Sequence, residues 1–149
     1  MKSYNLWRLV IALSILCAVT APFGANPFVS HVRATTPCDD VVNDPNPPGG
    51  DPELEISGSV TDSFTLSAFQ GAEMKLYSCS GATATLVTST TTDSYGHYAF
   101  TSLTDETWYY VAAVMTGSLA GKSPTGATTN PTNAIGLGNS ATNVNFTFH

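Results

Sequence analysis

The chain has 149 residues, 42% of them hydrophobic and 11% charged, with eleven acidic side chains against five basic ones and a net charge of −6. That apolar content can fill one core, which excludes a chain kept unfolded by its own charge. The acidic balance repels phosphate backbones and anionic headgroups, so nucleic acid and membrane surfaces are not expected partners.

Lys2 and Arg8 flank the start of an apolar run from Leu9 to Val19. The run is too short to span a bilayer comfortably, and with its positive start it reads as a secretory signal peptide over residues 1–34. Val32-Arg33-Ala34 supplies a small-residue cleavage site and Ala25 an earlier one, with an uncleaved N-terminal anchor as the alternative. Leu16 stands where a lipoprotein signal needs a small residue before Cys17. A secreted, extracellular or cell-surface location follows, with no membrane insertion after cleavage. Cleavage would remove Lys2, Arg8 and Arg33, leaving two lysines against eleven carboxylates. It would also remove Cys17, so that Cys38 and Cys79 become an even pair. In an oxidising compartment they are a candidate disulfide closing a loop of about 40 residues. Two free thiols, or Cys38 bonded to another molecule, are the alternatives.

Residues 35–53 read as an acidic linker, because Asp39-Asp40 and the run Asp44 to Pro52 combine carboxylates with Pro and Gly. Proline lacks a backbone donor and glycine is costly to order, so neither strand nor helix is expected there. Such a segment suits a spacer or a disordered tail.

From Leu54 onward apolar and polar residues alternate with period two. Leu54, Ile56 and Val60 share one face, as do Ala72, Met74 and Leu76, and Tyr98 with Phe100. Thr85 to Thr92 is β-branched and suits a half-exposed strand. Trp108 to Met115 and Val144 to Phe148 continue the pattern. Breaks at Asp62–Gly71, Ser80–Thr83, Asp93–Gly96 and Asp105–Thr107 come at the close spacing of a sandwich. One all-β domain is expected over residues 54–149.

The order Gly58-Ser-Val60-Thr-Asp62, Gly71-Ala72-Glu-Met74-Lys-Leu76-Tyr77, Thr92-Asp93-Ser-Tyr-Gly96-His-Tyr98-Ala-Phe100-Thr-Ser-Leu103 and Tyr109-Tyr-Val111 resembles the carboxypeptidase regulatory-like and SdrD/Cna B-type domains. Ile135-Gly-Leu137 and Val144-Asn-Phe146-Thr-Phe148 resemble their last two strands, so the resemblance covers Leu54 to Phe148. It implies a seven-stranded prealbumin-like (transthyretin-like, Ig-like) β-sandwich. In that setting Gly96 permits a turn and Gly71 a close approach, while Tyr98, Phe100 and Leu103 fill the core. The resemblance also implies a structural or adhesive module, a stalk or spacer, with no enzymatic activity and no cofactor.

Two chemistries found among such domains can be tested on the residues. A Lys–Asn isopeptide bond needs a buried ionisable trio with its lysine usually on the first strand. Leu54 to Thr61 has no lysine, and Lys75, Asn143 and Asn145 all alternate outward, so no such bond is expected. A calcium ion needs six or more oxygens, whereas the Asp62–Gln70 loop offers one carboxylate and Asp93 suits its own turn. No metal and no catalytic residue is therefore expected. His97 and His149 lie in no metal or nucleophile motif, and there is no Gly-x-Ser-x-Gly elbow.

The polar stretch 116–133 exceeds the usual connection length, which marks it as functional or as a plain solvent loop. With Trp108, Tyr77, Tyr110, Asn130 and Asn133 it could form a ligand face, since rings pack on sugar CH faces while amides bond sugar hydroxyls. The expected partners are another surface protein or an extracellular polysaccharide, the latter in an alternative role as an accessory binding module.

Overall fold

The computed structural model describes residues 36–41, 49, 53–126 and 128–149. The expected signal peptide, its cleavage positions Ala25 and Ala34, and Asp44 of the linker lie outside the described residues. Seven strands follow one another: β1 Leu54–Asp62, β2 Glu73–Ser80, β3 Thr83–Thr91, β4 His97–Leu103, β5 Thr107–Ala113, β6 Ile135–Leu137 and β7 Phe146–Phe148. They form two sheets, ordered β4-β1-β7 and β3-β2-β5-β6. The alternate apolar residues of the sequence meet between them: Leu54, Ile56 and Val60, Met74 and Leu76, Tyr98 and Phe100, Tyr109 and Val111, Phe146 and Phe148 are all buried. This is the seven-stranded prealbumin-like sandwich.

β1 is the centre of the smaller sheet. It pairs antiparallel with β4 and parallel with β7, in the register Val60 to Phe146, Thr61 to Thr147 and Asp62 to Phe148. The chain therefore enters β1 and leaves β7 at opposite ends of the sandwich.

One glycine decides how these three strands close. Gly58 lies opposite Tyr98, and a Cβ there would sit 2.0 Å from the Val144 carbonyl oxygen. Without that Cβ, the segment before β7 comes close against β1, and the Tyr98 hydroxyl donates to the Val144 carbonyl. An aromatic ring laid across a glycine on the neighbouring strand covers the backbone the glycine leaves bare. Burial pushes the Tyr98 phenol pKa up, so the group stays a donor. The same segment is tied to β1 by Ala141 N–H to Glu55, Ser57 N–H to Ala141 and Val144 N–H to Ser57, at 2.8–3.0 Å.

The other glycines divide by cause. Gly96 has φ 77°, and a Cβ there would stand 2.6 Å from the Val60 carbonyl oxygen, so conformation and space both demand glycine. Gly71 has φ 71° but nothing within 4 Å of its would-be Cβ. Its expected close approach is thus corrected to a purely conformational role.

The linker also departs from expectation. Pro37–Val41 forms a 3-10 turn with Cys38 buried, where no helical structure was expected. The cause is local: the Asp39 carboxylate accepts the Thr36 N–H and the Asp39 N–H donates to the Thr36 carbonyl, both at 2.9 Å. Cys38 is bonded to Cys79 across a sequence separation of 41, which settles the cysteine alternatives in favour of the intramolecular disulfide. In the chain-entropy picture such a closure contributes about 4 kcal/mol.

Because the Gly58 contact is with backbone, relief would require β1 and the Val144 segment to part. Gly58→Ala should lower unfolding stability by about 2–3 kcal/mol in urea titrations. Tyr98→Phe should cost about 1–2 kcal/mol by orphaning the Val144 carbonyl. A Gly58→Ala protein as stable as the wild type would contradict this packing.

Candidate functional site

The cross-strand pairs Tyr77 with Tyr110 and Cys79 with Trp108 place these side chains together on the outer face of the larger sheet. The tyrosine rings stack, with centroids 4.8 Å apart and planes 8° from parallel. The face is not open, however. The disulfide lands on it at Cys79, and the Pro37–Val41 turn lies against β3 and β5. Tyr110 is only 7% exposed, while Tyr77 and Trp108 are half-buried. Burial is the main cause raising the Tyr110 phenol pKa, with Tyr77 adding to it. The expectation of an open aromatic platform is corrected at Tyr110, which is buried, on a face that also carries the disulfide and borders the Pro37–Val41 turn.

The stretch 116–133 is likewise not a free loop. Leu119 is fully buried in the core. Thr132 donates its N–H to the Val111 carbonyl at 2.9 Å and accepts the Val111 N–H on its hydroxyl at 3.0 Å. Asn130 accepts the Ala113 N–H on Oδ1 and donates Nδ2–H to the Ala113 carbonyl, both at 2.9 Å. These groups continue the β6 side of β5 with side chains in place of a strand. Across the other sheet, Ser123 and His149 exchange two backbone bonds of 3.0 Å. Thr125 N–H reaches the Thr147 carbonyl at 2.9 Å, and the Thr128 hydroxyl accepts the Thr147 N–H at 3.2 Å. The stretch thus covers the outer edges of β5 and β7. Asn130 is engaged in that task and Asn133 is exposed, so the five expected ligand residues do not form one accessible face. The sequence did carry a signal for edge covering in Asn130-Pro131-Thr132: a residue without an N–H between two that can cap backbone groups.

An open depression of about 520 Å³ lies over the smaller sheet, lined by Ser57, Ser59, Thr91, His97, Asn143 and Asn145 among others. Its floor is hydroxyl and amide, and part of that is already bonded, since Asn145 Oδ1 accepts both the N–H and the hydroxyl of Ser59. At its margin Asp93 accepts the N–H groups of Tyr95 and His97, the turn role expected for it. Those bonds, His97 first, hold its carboxyl below the usual range.

Charge is arranged in the same self-contained way. Asp62 Oδ1 accepts the N–H groups of Thr65 and Phe64 at 2.9 Å each, and its Oδ2 lies 3.2 Å from the Lys122 ammonium. These bonds bring the Asp62 pKa down to about 2. Lys75 faces Glu73 at 3.5 Å. The inward positions of β1, the strand on which an isopeptide lysine was sought, carry Leu54, Ile56 and Val60, and those of β7 carry Phe146 and Phe148. Among the described residues no group of three His, Cys, Asp or Glu is placed to hold a metal, and no helix is long and apolar enough to cross a membrane.

No family model and no curated protein matches the chain. Among solved structures it is similar to a group B streptococcus pilus 2b backbone protein, with 18% identity over 63% of this chain and 40% of that one and a TM-score of 0.43. It is also similar to a streptococcal ancillary pilin, with 19% identity, 66% and 30% coverage and a TM-score of 0.49. The shaft pilin SpaA from Lactobacillus rhamnosus GG gives 15% identity, 65% and 48% coverage and a TM-score of 0.45. The chain spans less than half the length of each. No residue role passes from them to this chain.

The two depressed carboxylates set the acid response. A carboxyl whose folded pKa lies below its unfolded value stabilises the fold above that value and loses the contribution as pH falls. For Asp62 the window runs from 3.8 down to about 2. Calorimetric Tm should drop through that window, and Asp62→Asn should lower Tm at neutral pH while flattening the acid dependence. Equal acid slopes for wild type and variant would contradict the assignment.

Proposed function

We propose that the chain is an exported, non-enzymatic structural or adhesive module of the cell surface or its surroundings, built to resist tension between its two ends. The observation that carries this reading is the placement of the first and last strands. β1 and β7 are parallel neighbours, so a pull that enters at β1 and leaves at β7, as it does once the disulfide is reduced, loads their paired residues together, in shear, where an antiparallel terminal pair would open one bond at a time. The disulfide adds a second anchorage. Force arriving ahead of Cys38 passes through Cys79 into β2, which pairs on both sides with β3 and β5. The two ends are then held in different sheets, with the whole core between them.

Other features support the reading. The Lys2/Arg8 start and the Leu9–Val19 run suit export, and a disulfide suits an oxidising compartment. The proteins of similar structure include a pilus backbone protein, an ancillary pilin and a shaft pilin. A further surface protein is the natural partner of such a module.

Single-molecule pulling on tags at the two chain ends tests this. The oxidised module should rupture in one cooperative step at high force. After reduction the released length should grow by roughly 140 Å, the span of the 41 residues the disulfide withholds. Stepwise low-force unravelling in both states would overturn the tension-resisting role. Recovery of the protein solely inside the cell would overturn the export.

A further inference from the structure

The open depression over the smaller sheet, about 520 Å³, falls within the range of about 300–1,000 Å³ that small-ligand sites occupy. Of the described residues that line it, all but Gly58 and Ala99 carry a hydroxyl, amide, imidazole or carboxylate group. That chemistry excludes most occupants. A protein partner needs an apolar anchor point, and the lining offers only Ala99. A phosphate, sulfate or carboxylate needs a cation, yet no lysine or arginine lines the depression, and Lys75 and Lys122 face Glu73 and Asp62. A metal ion needs several anionic oxygens, and Asp93 brings the single carboxylate. An uncharged ligand rich in hydroxyls remains.

Two ordered turns hold the groups that would meet it. In the first, Asp93 Oδ1 accepts the Tyr95 and His97 N–H groups, and backbone bonds of 2.9 and 3.0 Å join Asp93 to His97 and Gly96. This turn leaves Asp93 Oδ2 as a further acceptor and sets the Tyr95 ring at the margin of the depression. The ring is 74% exposed, with its centroid 6.3 Å from that of His97. In the second turn Asn143 has φ 62°, held by Val144 N–H to Ser57 and Asn145 N–H to Asn143. The Asn143 amide has one weak partner among the described residues, the Thr142 hydroxyl at 3.5 Å. Asn145 Oδ1 is taken by Ser59, which leaves Nδ2 to donate. A large ring left in water beside amide, imidazole and carboxylate atoms with bonding capacity to spare suits a sugar. The ring packs on a CH face while the polar atoms exchange hydrogen bonds with the hydroxyls. Both turns are already ordered, so binding costs little conformational entropy.

We propose that this depression binds an uncharged oligosaccharide, with Tyr95 stacked on one sugar ring and Asp93, His97 and Asn143 bonding its hydroxyls. The site lies on the opposite sheet from Trp108, Tyr77 and Tyr110, so it is not the face expected from the sequence. It goes beyond the tension-resisting role and does not rest on it, since that role concerns the chain ends and the disulfide. An open site leaves one side of the sugar in water, which gives a dissociation constant on the order of 1 mM.

NMR titration of the isotope-labelled full chain in oxidising buffer tests it, with maltotriose, cellotriose, mannotriose and tri-N-acetylchitotriose as probes. At least one of these should shift the amide signals of Tyr95, His97 and Asn143 while those of Trp108 and Tyr110 stay in place. Tyr95→Ala should raise the dissociation constant of that sugar about tenfold, whereas Tyr95→Phe should keep it within about twofold, because the ring does the stacking. Asn143→Gly, which the positive φ tolerates, should weaken binding about fivefold. Dispersed amide signals report that each variant is folded, and if one is not, the others carry the comparison. No shift with any of these sugars at about 20 mM overturns the proposal. So do shifts confined to the Trp108 face, tighter binding of a sulfated trisaccharide, or a folded Tyr95→Ala protein that binds as well as the wild type.

Discussion

The Tyr98 hydroxyl, reaching across Gly58 to the Val144 carbonyl, is the contact on which the arrangement of the smaller sheet depends. It links β4, β1 and the segment that leads into β7, three pieces far apart in sequence. The bare backbone at Gly58 lets Val144 approach, and the Tyr98 ring seals the gap. With Val144 in place, Phe146 and Phe148 enter the core in parallel register with Val60 and Asp62. The position of the last strand therefore follows from the absence of one side chain.

The remaining polar chemistry serves the same end. Parallel pairing leaves β7 with an outer edge, and β6 is too short to cover all of β5. The long connection between β5 and β6 meets both needs, using backbone groups together with the hydroxyls of Thr125 and Thr128 on β7 and the side chains of Asn130 and Thr132 on β5. Asp62 and Asp93 hold their own turns, and each described lysine faces a carboxylate. The disulfide fastens the Pro37–Val41 turn to the larger sheet, where it lies against β3 and β5.

The strands were legible because period two survives in any half-buried sheet. Leu54 with Ile56, Met74 with Leu76, and Tyr98 with Phe100 all point where the alternation says. The Asp93–Gly96 turn was legible too, since a carboxylate two residues before a tyrosine and a glycine at φ 77° are local devices. What escaped the sequence was everything set by distant partners. Tyr110 alternates outward as expected, yet it is buried, on a face where the Tyr77 ring stacks on it and where the disulfide lands from residues beyond the strand pattern. Asn130 looked available because a side chain standing in for a strand leaves no periodic trace. Gly58 was read within a motif, but the oxygen that would strike its Cβ belongs to a residue 86 positions later.

Native-state hydrogen exchange resolved to single amides tests most directly whether these late segments close the sandwich. The amides of Ala141, Val144, Thr125 and Thr132 should exchange nearly as slowly as those in the middle of β1 and β5, through opening of the whole domain. If they exchange at the rate of an unstructured loop while β1 and β5 stay protected, the sandwich is closed without them, and residues 116–145 have some other purpose.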